Sequence, residues 1–286
     1  MAQFTIIGAQ GFIGSRLVAY LRRQDHQVAA IGRGEPIAPE PGNVIYCAGV
    51  TADFRSRAID TVEAHVSHVA GVLRWLRPQS FLYLSSTRLY GNSGAGVETA
   101  PIAVRPEDPD QLYNATKLAG EALCLAQKQT SVRVARLSNV YGPDMDSAAK
   151  PREDFLAAIV REAVTERKVT LRTALHSEKD YVDVEDVARA LERIALNGRY
   201  RIYNVASGRN VTHAALIAAL AEITGCETGV ALGAKAVAYP PIATGRIAAE
   251  FTAKDPWRPA SVIERLPDLV RALRAGQRQP VWGLAS

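Results

Sequence analysis

The sequence predicts an α/β fold, a doubly wound parallel sheet with a small C-terminal α/β lobe. Three observations carry this. Short runs rich in β-branched and aromatic residues alternate with longer helix-period segments. A glycine turn, Gly8-Ala-Gln-Gly11-Phe-Ile-Gly14, separates the first strand from the first helix. The chain has 286 residues, 48% apolar and 22% charged, so it can bury a sizeable core without disulfides or metals.

In order, Phe4-Thr-Ile-Ile7 reads as a buried strand, and apolar periodicity predicts a helix from about Phe12 to Gln24. Gln27–Ile31 and Val44–Cys47 are the next strands, the latter ending at Ala48-Gly49. A helix over about Arg57–Leu76 stops before Pro78, and Phe81–Leu84 is a strand ending in Ser85-Ser86. Gly91 to Gln111 is a long polar loop placed to contact a substrate. A helix over about Leu112–Gln129 and a strand at Val132–Leu137 follow. Helices at about 154–166, 185–196, 213–224 and 260–273, with strands at 169–171 and 202–205, complete the chain. No internal repeat or low-complexity tract is present.

Composition excludes several classes. The formal net charge is +5, but the basic residues are dispersed, so no nucleic-acid partner is expected. No apolar run reaches the ~18 residues of a membrane span, and the first strand lacks the basic flank of a signal peptide. Cys47, Cys124 and Cys226 lie far apart without a CxxC pair. That points away from a disulfide framework or metal site and toward the reducing cytoplasm.

The glycine turn carries chemistry. Glycines there permit a tight turn and close approach of backbone to a pyrophosphate, while the helix N-terminus offers free N–H groups. Gly8, Gly11, Phe12, Ile13 and Gly14 are therefore candidate dinucleotide-binding residues. The spacing is GxxGxxG. The second strand ends Ala30-Ile31-Gly32-Arg33, with no carboxylate until Glu35. A strand-end carboxylate would bond a ribose 2′-OH, whereas Arg33 suits a 2′-phosphate. NADP(H) is expected in preference, with NAD(H) as the alternative.

Tyr113-Asn-Ala-Thr-Lys117 opens a helix, and the i, i+4 spacing sets both side chains on one face. A neighbouring cation lowers a phenol's pKa, which equips Tyr113 as acid or base for a carbonyl/alcohol pair. Ser86, at the end of a parallel strand, can bond the same oxygen. Glycine turn, strand-end serine and YxxxK in this order form a candidate catalytic set of Ser86, Tyr113 and Lys117.

With these motifs the chain resembles the extended short-chain dehydrogenase/reductases, a group of nucleotide-sugar epimerases, dehydratases and ketoreductases. The matching stretches are Gly8–Gly14, Leu84–Gly91, Tyr113–Lys117, Arg136–Pro143, Asp180–Asp186 and Tyr203–Gly208, with a weaker echo at Trp257–Pro259. The resemblance implies a Rossmann-type nucleotide-binding unit, expected over residues 1–141 and 168–206, and a substrate lobe over 142–167 and 207–286. It implies that Ala48, Gly49, Leu84, Leu137 and Val140 also line the cofactor site, and that Lys117 holds the nicotinamide ribose. Substrate contacts would come from Thr87, Arg88, Asn139, Lys179 and Arg246, with Lys235 a further diphosphate candidate. The helices near 57–76 and 112–129 would pair as a four-helix homodimer interface.

Two departures sharpen the reading. Gly32 to Asn43 contains three prolines and is too short for the helix and strand that the family places there. The outer edge strand is therefore expected to be missing, and the adenine side thinned. The dehydratases follow the serine or threonine with an Asp-Glu pair, but here Thr87-Arg88 stand there, and arginine does not act as an acid or base near neutral pH. The expected function is an NADPH-dependent ketoreductase acting on a keto sugar nucleotide. Three alternatives stay open: an NAD-dependent nucleotide-sugar epimerase, a reductase of a non-nucleotide carbonyl compound, and a non-catalytic NADPH-sensing protein.

Overall fold

A computed structural model describes residues 1–51, 53–129, 131–143, 146–147, 150–151 and 154–277. Parts of the expected lobe, within 142–153 and beyond 277, lie outside the described residues. The central sheet has six parallel strands: β1 (Gln3–Ile7), β2 (Gln27–Ile31), β3 (Asn43–Tyr46), β4 (Ser80–Ser86), β5 (Val132–Leu137) and a sixth at Ile202–Val205. Across the sheet they run Ile202–Val205, β5, β4, β3, β1, β2. The order reverses between β1 and β3. Open parallel sheets bind their ligands at such a switch point, outside the strands' C-terminal ends.

Side-chain alternation builds two cores. Phe4, Ile6, Ile45, Leu82 and Leu84 point to one face, covered by α1 (Phe12–Arg23) and a helix at Val184–Asn197. Ile7, Val44, Tyr46, Phe81 and Tyr83 point to the other. That face is covered by a helical stretch in three pieces and by a long helix. The pieces are α2 (Ala58–Val62), a π-helical turn at Glu63–Ser67 and α3 (His68–Trp75); the long helix is α4 (Leu112–Leu125).

The expected missing strand is missing. Residues 32–42 form no strand, and β2 is the sheet edge. The segment crosses the face of β1 as a loop, where a crossover helix normally lies. It is tied there by Thr5 Oγ1, which donates to Pro41 O at 2.7 Å, and by Gln3 Nε2, which donates to Glu40 O at 3.0 Å. Ile37 packs against the core of that face. Three prolines suit this extended path, since none can donate to a sheet ladder.

Beyond β5 lie β6 (Asn139–Tyr141), α5 (Phe155–Thr165), β7 (Lys168–Thr173) and β8 (Glu178–Asp183). The helix at Val184–Asn197 is α6 and the sixth central strand is β9. Then come β10 (Asn210–Thr212), α7 (His213–Thr224), β11 (Glu227–Lys235), α8 (Gly245–Ala248) and α9 (Val262–Gln277). The lobe core joins α5, α7 and α9 through Leu156, Val160, Leu216, Leu220, Leu266 and Val270.

The lobe boundary differs from the expectation in two places. β7 was expected with the nucleotide-binding unit, but it pairs with β11 and buries Val169 and Leu171 in the lobe core. Conversely, Ile247 and Trp257 pack against the α6 face of the sheet, and Trp257 Nε1 donates to Ala206 O at 3.1 Å. Parallel pairing of such distant segments leaves no local signature.

A buried polar network locks the sheet to α4. Arg136 on β5 grips Glu121 on α4 through two hydrogen bonds, Nε to Oε1 at 2.9 Å and Nη2 to Oε2 at 2.6 Å. Arg136 Nη1 also donates to the Tyr90 hydroxyl at 2.8 Å, which donates to Asn204 Oδ1 at 2.7 Å. Asn204 in turn donates to Gly96 O and Ala243 O, both at 3.0 Å. The motif residues Tyr90, Arg136 and Asn204 thus form the frame behind the site.

Candidate active site

The glycine turn sits at the switch point. Gly8 has φ of +83°, and a Cβ there would lie 2.6 Å from Ala48 N. A Cβ on Gly14 would lie 2.2 Å from Gly8 O, so α1 meets the turn with no room for a side chain. Gly11 caps α1 without a side-chain hydrogen bond, and the first turn holds no acidic residue. The helix dipole favours an anion at this end. Ile13, Cys47, Gly49, Leu84, Leu137 and Val140 line a cavity of about 590 Å³ just beyond. Tight glycine backbone, a helix N-terminus with no acidic residue in its first turn and an apolar wall together fit a nicotinamide dinucleotide.

Ser86, Tyr113 and Lys117 all line this cavity. Ser86 ends β4, and its Oγ accepts the Arg88 N–H at 3.1 Å, capping a short 3-10 turn over Thr87–Asn92. The same side chain is one of the two groups that act to lower the Tyr113 phenol's pKa. Tyr113 and Lys117 sit one turn apart on α4, 7% and 5% exposed. Lys117 Nζ donates to Leu84 O at 2.8 Å, which aims the ammonium at the end of β4. Burial pushes its pKa down to about 8. Lys117 was expected to depress Tyr113, but burial dominates and raises the phenol instead. The groups that oppose burial are the Ser86 side chain and the charge of Arg88, whose guanidinium lies 5.3 Å from the Tyr113 ring centroid.

Thr87, Arg88, Asn139 and Lys179 also line the cavity. Asn139 Nδ2 donates to Asp180 O at 2.7 Å. Lys179 lies over the Phe155 ring at 5.3 Å, and burial followed by the Arg88 charge lowers its pKa. Among the described residues, two carboxylates reach the cavity, and both hold backbone. Asp154 caps α5 by accepting from Ala157 N at 3.1 Å. Asp180 accepts from Ser207 N at 3.0 Å and Arg209 N at 2.9 Å.

Arg246 is placed elsewhere. Its Nη1 donates to Ile202 O at 3.0 Å and its Nε lies 3.9 Å from Glu98, so it fastens α8 to the sheet edge and is not among the cavity's residues. Lys235 ends β11, also outside the cavity lining. Arg33 is exposed just past β2. The strand end carries a carboxylate after all. Gly34, at φ +77°, turns the chain back so that Glu35 Oε2 accepts the Gly32 N–H at 2.7 Å. Sequence reasoning passed over Glu35 because its return depends on that turn. It also passed over His65 and Thr116, which bond each other beneath Tyr113.

The sequence profile of the NAD dependent epimerase/dehydratase family matches residues 4–206. The chain belongs to this family. It is an NAD(P)-dependent enzyme of the extended short-chain dehydrogenase type, an oxidoreductase or epimerase. Among curated relatives, a dTDP-4-dehydro-6-deoxy-D-allose reductase of Streptomyces bikiniensis is 23% identical over 93% of this family member and 88% of the relative. A dTDP-glucose 4,6-dehydratase of Streptomyces griseus is 28% identical over 52% of the chain, and the match spans only 44% of that dehydratase. Among solved structures, RMD from Pseudomonas aeruginosa, complexed with NADPH, superposes with a TM-score of 0.77 at 23% identity. That match covers 96% of this chain and 99% of RMD. MoeE5 in complex with UDP-glucose and NAD gives 0.76 at 22% identity, with 96% and 99% covered. The fold is shared with both. No helix among the described residues is long and apolar enough to cross a membrane.

Proposed function

We propose that this enzyme reduces a keto sugar nucleotide, with NADP(H) as its preferred cofactor and the cytoplasm as its compartment. One observation carries the reading. Ser86, Tyr113 and Lys117 converge on the cavity, while Thr87 and Arg88 follow the serine and, among the described residues, both carboxylates lining the cavity are tied to backbone N–H groups. Carbonyl reduction needs one proton donor. Water loss needs an acid and a base at neighbouring carbons, and among the described residues the carboxylates lining the cavity are both engaged with backbone N–H groups.

When bound, the nicotinamide cofactor supplies the hydride. Tyr113 gives its proton to the carbonyl oxygen, and Ser86 orients that oxygen by hydrogen bonding. Arg88, whose guanidinium lies 5.3 Å from the ring centroid, stabilises the phenolate left behind, and Lys117 would hold the nicotinamide ribose. Lys179 and Asn139 face the cavity where the sugar's diphosphate would run. The reductase relatives from Streptomyces act on dTDP-linked keto sugars, which supports a nucleotide-linked substrate of this class. Ile59, Val62 and Trp75 stay exposed on the α2–α3 layer, which supports the expected homodimer. A dTDP-linked 4-keto-6-deoxy sugar offered with NADPH should cause stoichiometric cofactor oxidation. No oxidation with any keto sugar nucleotide would defeat the proposal.

Cofactor choice rests on two exposed side chains acting in opposite senses. Arg33 attracts a 2′-phosphate; the Glu35 carboxylate at the strand end repels it and suits a 2′-OH. Fluorescence titration with NADPH and NADH needs no substrate. Arg33→Ala should lower the NADPH:NADH affinity ratio about fivefold and Glu35→Gln should raise it by a similar factor, as ~1 kcal/mol of exposed charge interaction gives. An unchanged ratio in Arg33→Ala would remove the basis for the NADP(H) preference.

A further inference from the structure

His65 is completely buried and occupies the π-helical turn between α2 and α3. Such turns interrupt the regular ladder and are frequent at functional positions. Here the sheet is built to hold the turn open. The Tyr46 hydroxyl donates to Ala64 O at 2.7 Å and the Tyr83 hydroxyl to His65 O at 3.2 Å, so two carbonyls of the turn are satisfied from β3 and β4. Gly120 lets α4 close on the same point, since a Cβ there would lie 2.4 Å from the Tyr83 hydroxyl and 2.5 Å from His65 O.

Both ring nitrogens are engaged. The Val50 N–H donates to Nε2 at 3.2 Å, so Nε2 carries the lone pair and the proton belongs on Nδ1. Nδ1–H then donates to Thr116 Oγ1 at 2.9 Å. The Thr116 hydroxyl passes its own proton to Leu112 O or Tyr113 O, at 3.0 and 3.1 Å. The imidazole edge meets the Tyr113 ring with centroids 5.4 Å apart and planes at 86°. Gly49 fits between His65 and Lys117, where a Cβ would lie 3.1 Å from Nε2 and 3.4 Å from the lysine Nζ. Burial, then the Lys117 charge, pushes the imidazole pKa down to about 2, so the ring is held neutral, and the Val50 bond selects its tautomer.

The ring therefore joins two parts of the site. On one side is the loop after β3, which brings Gly49 to the cavity wall; on the other is Thr116, lodged between Tyr113 and Lys117. We propose that His65 is a positioning residue that sets the catalytic helix against the cofactor-side loop through hydrogen bonds at both ring nitrogens. This rests on the reductase reading only for what Tyr113 and Lys117 do.

The test uses the full chain with His65→Leu, His65→Gln and Thr116→Val. Glutamine keeps one donor and one acceptor on a planar group; leucine fills the space without either. Thr116→Val removes the same link from the other helix and covers the case in which His65→Leu does not fold. NADPH affinity is read by fluorescence, and turnover with a dTDP-linked keto sugar. His65→Leu and Thr116→Val should each lose at least tenfold in kcat and weaken NADPH severalfold, with the double variant no worse than either single one. His65→Gln should recover to within about threefold of the wild type, a rescue that packing alone would not give. The proposal is overturned if His65→Leu retains wild-type kcat and affinity, or if His65→Gln is as impaired as His65→Leu. A wild type inactive on keto sugars, with the affinity pattern intact, would remove the reductase reading and leave this one standing.

Discussion

Tyr113→Phe should bind its nicotinamide cofactor as tightly as the wild type and turn over its substrate about 10³-fold more slowly, within the range that a positioned acid contributes. The ring is 7% exposed and packs against Phe54 and His65, contacts that phenylalanine keeps. The hydroxyl is lost, and with it the proton for the substrate oxygen. Lys117 still donates to Leu84 O, so the ammonium stays where it is. A loss confined to kcat, with affinity unchanged in a binding titration, separates this from general damage to the site. Substantial residual turnover would show that another group protonates the oxygen.

The second large effect is on stability. Glu121→Ala should destabilise the chain by about 3–5 kcal/mol, because it strands the Arg136 guanidinium in the interior. The two side chains are 1% and 4% exposed, and their pair is bidentate. Arg136 would keep only its neutral partners, the Tyr90 hydroxyl and Glu98 O. Replacing both charges, as Glu121→Leu with Arg136→Met, should recover most of the loss, since well-packed apolar pairs substitute for buried ion pairs. Chemical denaturation measures both. A single variant within about 1 kcal/mol of wild type would mean that the pair contributes little to the frame behind the site.

The parts of the site legible in the sequence are those fixed by spacing along one element. Tyr113 and Lys117 lie four residues apart on a helix, and Gly8, Gly11 and Gly14 fall within one turn. The missing edge strand was legible because Pro36, Pro39 and Pro41 leave no room for a ladder. What escaped depended on contacts between distant segments. His65 lies on a stretch whose helical periodicity continues through the π turn, and its partners Val50 and Thr116 lie on other elements. Glu35 returns to the strand end only because Gly34 adopts a positive φ. Arg246 looks like a cation free for phosphate, but tertiary packing gives it Ile202 O and a place beside Glu98. The rise in the Tyr113 pKa could not be anticipated either, because burial was not visible and Arg88, not Lys117, supplies the opposing charge.

The most direct test of the central claim follows the hydride. The enzyme is given a dTDP-linked keto sugar and NADPH carrying deuterium at the transferring position of the nicotinamide. The account predicts an alcohol bearing deuterium on the former carbonyl carbon, one NADP⁺ formed per sugar reduced, and none of this in Tyr113→Phe. A sugar inverted at a carbon with no deuterium gained and no net cofactor oxidised would contradict it and identify an epimerase.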